Sequence, residues 1–394
     1  MYVPRKLTAA VKAALQQFPA VLVTGPRQSG KTTFLREEFG RGAHYVSFDD
    51  PLEREFARRD PNGFLDRFGG ERVILDEIQY APEILSYLKI RIDDDRRAHG
   101  RWLLTGSQRF QLMANISESL AGRVAILELL PFSLLERPAS ATDLGTVIWD
   151  GLYPEPALEP AKRDLWVSSY VQTYVERDVR QVQNVQDLRT FETLLALCAA
   201  RHAQELNLAA LSRLVGISQP TVKSWVGVLE AAYVVLRLPP YFEHFGKRVI
   251  KTPKLYFLDP ALVCALTRQP SPEAALAGAM AGALFEGLVV AEAMKVFSVL
   301  GKRPDLYYWR SHGGLEVDLL VAAGGRLVPI EIKLSATPTA GHVEPIEHLK
   351  KVGGKRVATS GLVVCRVPKL RPLPSGHLAM PWQDFPAWLE AHLR

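Results

Sequence analysis

One stretch near the N-terminus combines the residue types that bind phosphate. It is rich in glycine and lies between the apolar run at 20–24 and residues that favour a helix. Its members are Gly25, Pro26, Arg27, Gln28, Ser29, Gly30, Lys31, Thr32 and Thr33. Glycines let backbone N–H groups curl around a phosphate, and the N-terminal end of the following helix attracts the same anion. Lys31 can reach the β- and γ-phosphate oxygens, and the Thr32 hydroxyl can ligate Mg²⁺. The sequence therefore predicts a site for ATP or ADP with Mg²⁺.

Two adjacent carboxylates end a later apolar strand. Asp76 and Glu77 follow the run Arg-Val-Ile-Leu at 72–75, about 45 residues after the glycine-rich stretch. Asp76 can hold the Mg²⁺ shell, and Glu77 can polarise a water molecule for attack on the γ-phosphate. This spacing predicts that the bound triphosphate is hydrolysed.

Two further positions complete the predicted hydrolysis site. A fourth apolar strand at 101–105 ends in Gly-Ser-Gln-Arg, and we expect Ser107 or Gln108 to sense the γ-phosphate. Arg123 lies between that strand and a fifth one, and it can act as an arginine finger on the nucleotide of a neighbouring subunit. A salt-bridged surface arginine explains the same position equally well. The sequence leaves both interpretations of Arg123 open.

A second group of acidic and basic residues lies in the C-terminal part. Glu286 is predicted in a helix, Asp318 in a strand, and Glu331 in the strand after a Gly-Gly turn. Residues two apart in a strand share a face, so Glu331 and Lys333 are predicted to point away from the core. Asp318 and Glu331 offer hard oxygen ligands for Mg²⁺, and Lys333 can position the attacking water. A solvent-facing Glu–Lys pair without activity is the alternative.

Capping residues mark two short helices between 207 and 230. Asn207 and Ser218 are typical N-caps, and Gly216 suits the turn between the helices, which together predict a helix-turn-helix. The second helix leaves a polar set facing outward that can contact DNA: Gln219, Thr221, Lys223 and Ser224. A basic hairpin follows, as in a winged helix, and its cations can contact phosphate: Lys247, Arg248, Lys251 and Lys254. Winged helices also bind proteins, so this pattern does not predict sequence-specific recognition.

The residues of the N-terminal half are positioned by alternating strands and helices. An amphipathic helix at 7–18 precedes the first strand, and helical stretches follow the later strands. Such β–α units predict a parallel sheet covered by helices. Turn-rich stretches near 136–145 and 268–273 divide the chain into predicted domains at 1–140, 141–270 and 271–394.

Composition limits the class of protein. The chain has 394 residues, of which 47% are hydrophobic, and this excludes a disordered chain. Three distant cysteines predict neither a disulfide nor a zinc framework. The longest apolar run, 274–291, contains Glu286 and several glycines, which favours a buried helix over a membrane span. We expect a cytoplasmic protein, not bound to membranes, whose net charge of +6 suits a polyanionic partner.

The order of the strands and their motifs resembles the additional-strand catalytic-glutamate class of P-loop ATPases, which includes the AAA+ proteins. The chain as a whole resembles prokaryotic AAA-family ATPases that carry a C-terminal domain of unknown function. The motifs behind this resemblance lie at 25–33, 75–79, 104–107, 119–123, 151–155 and 174–178. The resemblance implies a P-loop NTPase sheet of the AAA+ class.

The C-terminal residues resemble the PD-(D/E)xK nuclease superfamily. Asp318, twelve intervening residues and Glu331-x-Lys333 match its motif, with Glu286 as the upstream helix acid. The resemblance implies an α/β chain in which helical, winged-helix and restriction-endonuclease-like domains follow the ATPase domain. We expect a homo-oligomer, for example a hexamer, that remodels duplex or branched DNA, and cleavage at the nuclease-like site stays open. The alternative is a nucleotide-dependent switch whose C-terminal half binds a protein partner.

Overall fold

The computed structural model describes residues 2–107, 116, 118–137, 143–175, 188–241, 252–311 and 313–394. The chain forms two compact units. Unit 1 comprises Met1–Phe132 and Ser298–Lys302, and unit 2 comprises Ser133–Phe297 and Arg303–Arg394. Residues of the second and third predicted domains therefore fall in the same unit.

Unit 1 is built on a parallel five-stranded sheet. Its strands are β1 (Ala20–Thr24), β2 (Ala43–Ser47), β3 (Arg72–Asp76), β4 (Trp102–Gly106) and β5 (Val124–Glu128). The order across the sheet is β2-β3-β4-β1-β5. Trp102 of β4 pairs with Ala20 on one side and Val73 on the other, so β4 separates the strand before the glycine-rich loop from the Asp-Glu strand. The predicted parallel sheet is confirmed, and all five strands end at the same edge.

Helices cover both faces of this sheet. They are α1 (Thr8–Leu15), α2 (Lys31–Phe39), α3 (Pro51–Arg59), α4 (Pro61–Asp66) and α5 (Ile84–Asp94). Alternate residues of β1 face opposite sides: Val21 packs with α1 and α2, whereas Leu22 packs with α3, α4 and α5. Every residue of β1 is buried as a result. The first helix ends before the predicted position 18, because Pro19 disfavours a helical conformation in the residue before it.

The first part of unit 2 is mainly helical. Its helices are α6 (Leu144–Asp150), α7 (Pro154–Leu158), α8 (Arg163–Tyr170), α9 (Leu188–Ala200), α10 (Leu208–Val215), α11 (Gln219–Ala231), α12 (Pro260–Leu266) and α13 (Pro272–Ala277). An antiparallel sheet accompanies them, in the order β6-β8-β7: β6 (Gln204–Glu205), β7 (Val235–Leu238) and β8 (Lys254–Phe257). Asn207 and Ser218 cap α10 and α11 through their side chains, and Gly216 has a φ of 78° between them. The two predicted helices and their turn are present.

The second part of unit 2 is a six-stranded sheet preceded by α14 (Ala281–Val299). The strands are β9 (Leu306–Arg310), β10 (Glu316–Ala323), β11 (Arg326–Ile332), β12 (Leu362–Cys365), β13 (Arg371–Pro372) and β14 (Leu378–Pro381). Their order is β13-β14-β12-β11-β10-β9, in which β9, β10 and β11 are antiparallel and β12 runs parallel to β11. Two helices complete it: α15 (Glu344–Gly353) and α16 (Phe385–Leu393). The Gly-Gly turn between β10 and β11 is present, since both glycines have positive φ.

The apolar run at 274–291 is divided between α13 and α14. In the part of the chain that the structure describes, no helix is long and apolar enough to cross a membrane.

Candidate functional site

The glycine-rich loop joins β1 to α2 through two glycines in unusual backbone conformations. Gly25 has a φ of 145°, and Gly30, directly before α2, has a φ of 89°. A Cβ atom at position 25 would lie 2.2 Å from the carbonyl oxygen of Leu129. Glycine is therefore required at 25 for the loop to pass this backbone, and the N-terminus of α2 opens onto the loop.

Lys31 turns its ammonium group back into the loop. Its Nζ donates hydrogen bonds to the carbonyl oxygens of Pro26 at 2.8 Å and Gly25 at 3.2 Å. The side chain is buried. This position puts a cation inside the loop, where the phosphates of a nucleotide are predicted to bind.

The carboxylate of Asp76 gathers hydroxyl groups from three other elements. Thr32 Oγ1 of α2 lies 2.9 and 3.0 Å from its two oxygens, and Thr105 Oγ1 of β4 lies 2.5 Å from Oδ1. Tyr45 of β2 donates to Oδ2 at 2.9 Å, and burial together with the negative charge of Asp76 raises the pKa of Tyr45 to about 12. The oxygens of Thr32 and Asp76 fit Mg²⁺, which prefers few protein ligands completed by phosphate and water.

Glu77 is held in a left-handed backbone conformation, with a φ of 55°. Its N–H donates to Thr105 Oγ1 at 3.0 Å. Its Oε2 accepts hydrogen bonds from Gln79 Nε2 and from Ser107 Oγ, the latter at 3.3 Å. Strained backbone is typical of functional sites. Ser107 lies beside Glu77 at the end of β4, whereas Gln108 lies outside the described residues.

Arg123 binds Asp93 at the end of α5. Its Nε and a terminal nitrogen lie 2.8 Å from the two carboxylate oxygens, and a further nitrogen donates to the carbonyl of Ala121. The guanidinium hydrogen bond lowers the pKa of Asp93 to about 2. Within one chain, Arg123 thus takes the salt-bridged arrangement. An action on a neighbouring subunit stays a prediction.

Several residues of this site escaped the sequence analysis. Arg5, buried before α1, donates to the carbonyl oxygens of Ser29 at 2.9 Å and Leu130 at 2.6 Å, and so ties the loop to the chain after β5. Thr105, Tyr45 and Gln79 contact the two carboxylates. Thr105 could have been found, because it ends the predicted fourth strand just before the predicted sensor positions. The contacts of Arg5 depend on chain segments far apart in sequence and leave no local pattern.

The nuclease-like residues of unit 2 come together at the ends of β10 and β11. Lys333 Nζ lies 2.6 Å from Glu331 Oε1 and 3.2 Å from Asp318 Oδ2. Asp318 also accepts the backbone N–H of Ile332 at 2.9 Å. Glu331 is buried, and its Oε2 has no hydrogen-bond partner among the described residues. The alternative of a solvent-facing Glu–Lys pair is therefore wrong for Glu331, because both faces of β11 are buried at this position.

Lys254 extends this cluster from β8. Its ammonium group is buried and forms ion pairs with Glu286 of α14, at 3.0 Å, and with Glu316 of β10, at 2.5 Å. Tyr256 donates to Glu286 at 2.6 Å. The prediction that Lys254 contacts DNA phosphate needs correction, because two carboxylates already enclose its charge. Lys247, Arg248 and Lys251 lie outside the described residues.

The cluster contains more carboxylates than ammonium groups. Burial, followed by the charge of Asp318, raises the pKa of Glu331 to about 8 and raises that of Glu286. Although burial opposes it, the neighbouring carboxylates raise the pKa values of Lys254 and Lys333. Over the described ranges, no group of three or more His, Cys, Asp or Glu side chains is placed to hold a metal ion. Lys254 and Lys333 supply positive charge to the cluster through ion pairs with its carboxylates.

The predicted DNA-facing residues of α11 lie on its outer side. Gln219 and Lys223 are exposed, and Thr221 is half-buried with its hydroxyl 2.7 Å from Ser218 Oγ. The opposite side is buried through Val222, Trp225, Val226, Val228 and Leu229. Ser224, the fourth residue predicted to face outward, is also half-buried, so Gln219 and Lys223 are exposed as predicted and the other two only in part. DNA contact stays a prediction.

Three family models match the chain. Residues 17–137 match an AAA domain, residues 141–273 match a domain of unknown function (DUF8612), and residues 281–385 match another (DUF4143). The N-terminal unit thus carries an AAA domain.

Two relatives match most of the chain. They are the uncharacterized proteins Mb2031c of Mycobacterium bovis and Rv2008c of Mycobacterium tuberculosis. Each is 33% identical over 339 residues, which cover 85% of this chain and 75% of the relative.

Solved structures show weaker likeness. The Walker-type ATPase PABY2304 of Pyrococcus abyssi has a TM-score of 0.46 and 15% identity, covering 66% of this chain and 95% of its own. AMPPCP-bound DnaA from Aquifex aeolicus has a TM-score of 0.31 and 12% identity, covering 57% of this chain and 85% of its own.

The nucleotide site predicts different effects for Lys31 and Glu77. Lys31→Ala should abolish nucleotide binding, because it removes the cation inside the loop. Glu77→Gln should still bind ATP but hydrolyse it about 10²- to 10⁴-fold more slowly, since the water loses its proton acceptor. Fluorescent-nucleotide binding and phosphate release measure the two effects. Glu55→Gln, at an exposed position of α3, is the matched control, and normal turnover by Glu77→Gln would contradict the assignment.

The raised pKa of Glu331 predicts how stability depends on pH. The folded chain holds a proton that the unfolded chain releases between about pH 4.5 and 8, so stability falls as pH rises through this window. Glu331→Gln in EDTA should flatten this fall in Tm. Glu347→Gln is the control of opposite sign, because hydrogen bonds from Lys350 and His377 lower the pKa of Glu347. An unchanged Tm–pH profile in Glu331→Gln would refute the assignment.

Proposed function

Because the chain belongs to the same family as Mb2031c and Rv2008c and carries an AAA domain, we propose that it hydrolyses ATP in unit 1 to act on DNA through unit 2. The observation that carries the proposal is the meeting of Thr32, Asp76 and Glu77 at the carboxyl edge of the parallel sheet. Thr32 and Asp76 are suited to hold the metal ion, and Glu77 is suited to activate the water that hydrolysis needs.

The residues of unit 1 divide the reaction between them. The loop amides and Lys31 bind and orient the phosphates, and Ser107 lies where it can contact the γ-phosphate beside Glu77. Thr32 and Asp76 would hold Mg²⁺, which neutralises phosphate charge when bound. Glu77 accepts the proton of the attacking water. Thr105 links the two residues, because its hydroxyl donates to the Asp76 carboxylate and accepts the backbone N–H of Glu77.

The DNA part of the proposal rests on α10, α11 and the three-stranded sheet. From α9 onward, the elements follow the order of a winged helix: a helix, a strand, two helices and two strands. In this order α11 takes the place of the recognition helix. Exposed Gln219 and Lys223 on α11 are suited to phosphate and base-edge contacts. The net charge of +6 suits a polyanion. We propose duplex or branched DNA as the substrate and a homo-oligomer, such as a hexamer, as the active form.

DNA should stimulate ATP hydrolysis if this proposal is correct. Phosphate release measured with single-stranded, duplex and four-way-junction DNA should rise several-fold with the preferred structure. Lys223→Ala should weaken the stimulation and leave the basal rate unchanged, whereas Lys162→Ala, on an exposed lysine paired with Glu159, should leave both unchanged. Alanine at Lys247, Arg248 and Lys251 should flatten the salt dependence of DNA binding. A rate unaffected by any DNA would instead favour a nucleotide-dependent switch that binds a protein partner.

A second candidate function is metal-dependent DNA cleavage in unit 2. It is supported by the meeting of Asp318, Glu331 and Lys333, with Glu286 electrostatically linked to both carboxylates. Lys333 and Lys254 count against it, because a metal ion must displace tethered ammonium groups from these carboxylates. Binding without cleavage is the other outcome for the same residues.

Plasmid cleavage in Mg²⁺ or Mn²⁺ tests the second candidate. Asp318→Asn, Glu331→Gln and Lys333→Met should each abolish cleavage while ATP hydrolysis persists, because they alter unit 2 and not the nucleotide site. No cleavage by the unmodified protein would dismiss this function. Cleavage that survives all three substitutions would come from another site.

A further inference from the structure

Gln79 is a buried polar residue that has no role in the proposed ATP hydrolysis described above. It lies in the short 3-10 turn Ile78–Tyr80, directly after the Asp-Glu pair, and is 8% exposed. Its Nε2 donates to Glu77 Oε2. Its Oε1 is buried and has no hydrogen-bond partner among the described residues.

The orientation of this amide follows from the chemistry of its partner. An ionised carboxylate only accepts hydrogen bonds, so the nitrogen of Gln79 must face Glu77. The oxygen is then the atom left without a partner. Burying an acceptor in this way costs stability, and such atoms in native proteins commonly bind water or a ligand.

The surroundings fix the position of Gln79 as well as that of Glu77. Ile78 and Ala81, on either side of it in the sequence, are almost fully buried, so the turn is anchored in the core of unit 1. Glu77 is restrained at its N–H by Thr105 and at its Oε2 by Ser107. Gln79 and Ser107 therefore both donate to the same oxygen of Glu77, Oε2. Gln79 does so from the turn after β3, and Ser107 from the end of β4.

We propose that Gln79 is a further catalytic residue of ATP hydrolysis, which holds Glu77 by its amide nitrogen and the attacking water by its amide oxygen. The inference rests on the proposed hydrolysis at Glu77. The water would donate one hydrogen bond to Glu77 and the other to Gln79 Oε1, which directs its lone pair at the γ-phosphorus. The new bond forms between the water oxygen and phosphorus, and the bond from phosphorus to the β–γ bridging oxygen breaks. The water proton passes to Glu77 and then to solvent, ADP and phosphate leave, and Gln79 keeps both of its protons.

Gln79→Met tests the proposal, because it removes both polar atoms and keeps the volume. It should lower kcat about tenfold or more, with KM and fluorescent-ATP affinity within about twofold of the unmodified protein. Tyr80→Phe, in the same turn, is the matched control and should retain normal kcat. A second variant, Gln79→Glu, keeps the size and replaces the donor that Glu77 needs, so it should also lose activity. If calorimetry shows that Gln79→Met is unfolded, Gln79→Glu tests the proposal in its place.

A double-mutant cycle distinguishes catalysis from support of the fold. In single-turnover experiments, Gln79→Met should add little to the loss already caused by Glu77→Gln, because both act on one water molecule. An equal proportional loss in both backgrounds would overturn the proposal, as would normal kcat in Gln79→Met. If the unmodified protein does not hydrolyse ATP at all, the proposed function itself fails. These outcomes are therefore distinguishable.

Discussion

The nucleotide site depends on one buried carboxylate that neutral hydroxyl groups hold. Asp76 accepts hydrogen bonds from Thr32 of α2, Thr105 of β4 and Tyr45 of β2. These three donors can meet only if β3 lies between β2 and β4, with the strand ends at one edge of the sheet. The strand order thus determines the site. Thr105 extends the constraint to Glu77 by accepting its backbone N–H, so one side chain contacts both the Asp76 carboxylate and the backbone of Glu77.

Much of unit 1 could be predicted because its signals are local. Apolar runs of five residues, each followed by a helical stretch, predict the parallel sheet, and the glycine pattern at 25 and 30 reflects backbone geometry that few other residues adopt. The contacts of Arg5 and Tyr45 were missed for the opposite reason. Arg5 contacts Leu130, which is 125 positions away, and no periodicity links such residues.

The errors in unit 2 have a common physical cause. Lys254 and Glu331 were expected on exposed faces, since charged residues in strands usually face solvent. Both are buried, because each finds opposite charges on distant elements: Lys254 has Glu286 and Glu316, and Glu331 has Lys333. A single sequence indicates that a residue is charged but does not identify its partner. The grouping of Asp318, Glu331 and Lys333 was nevertheless predictable, because adjacent strands of one hairpin bring them together.

The two carboxylate groups of this chain differ in how their charge is compensated. The groups that hold Asp76 are neutral hydroxyls, so a divalent ion binding there would need to displace only neutral donors. In unit 2, ammonium groups already pair with Asp318, Glu331 and Glu286, and they are covalently tethered, so they cannot diffuse away. A metal ion there would be repelled by the ammonium groups of Lys254 and Lys333. It would also have to compete with these tethered groups for the carboxylate oxygens. Because the pKa of Glu331 is raised, its carboxyl group keeps a proton near neutral pH, which further lowers the negative charge of the cluster. The side chains of unit 1 are therefore better suited to a metal ion than those of the unit 2 cluster, where ammonium groups already pair with the carboxylates.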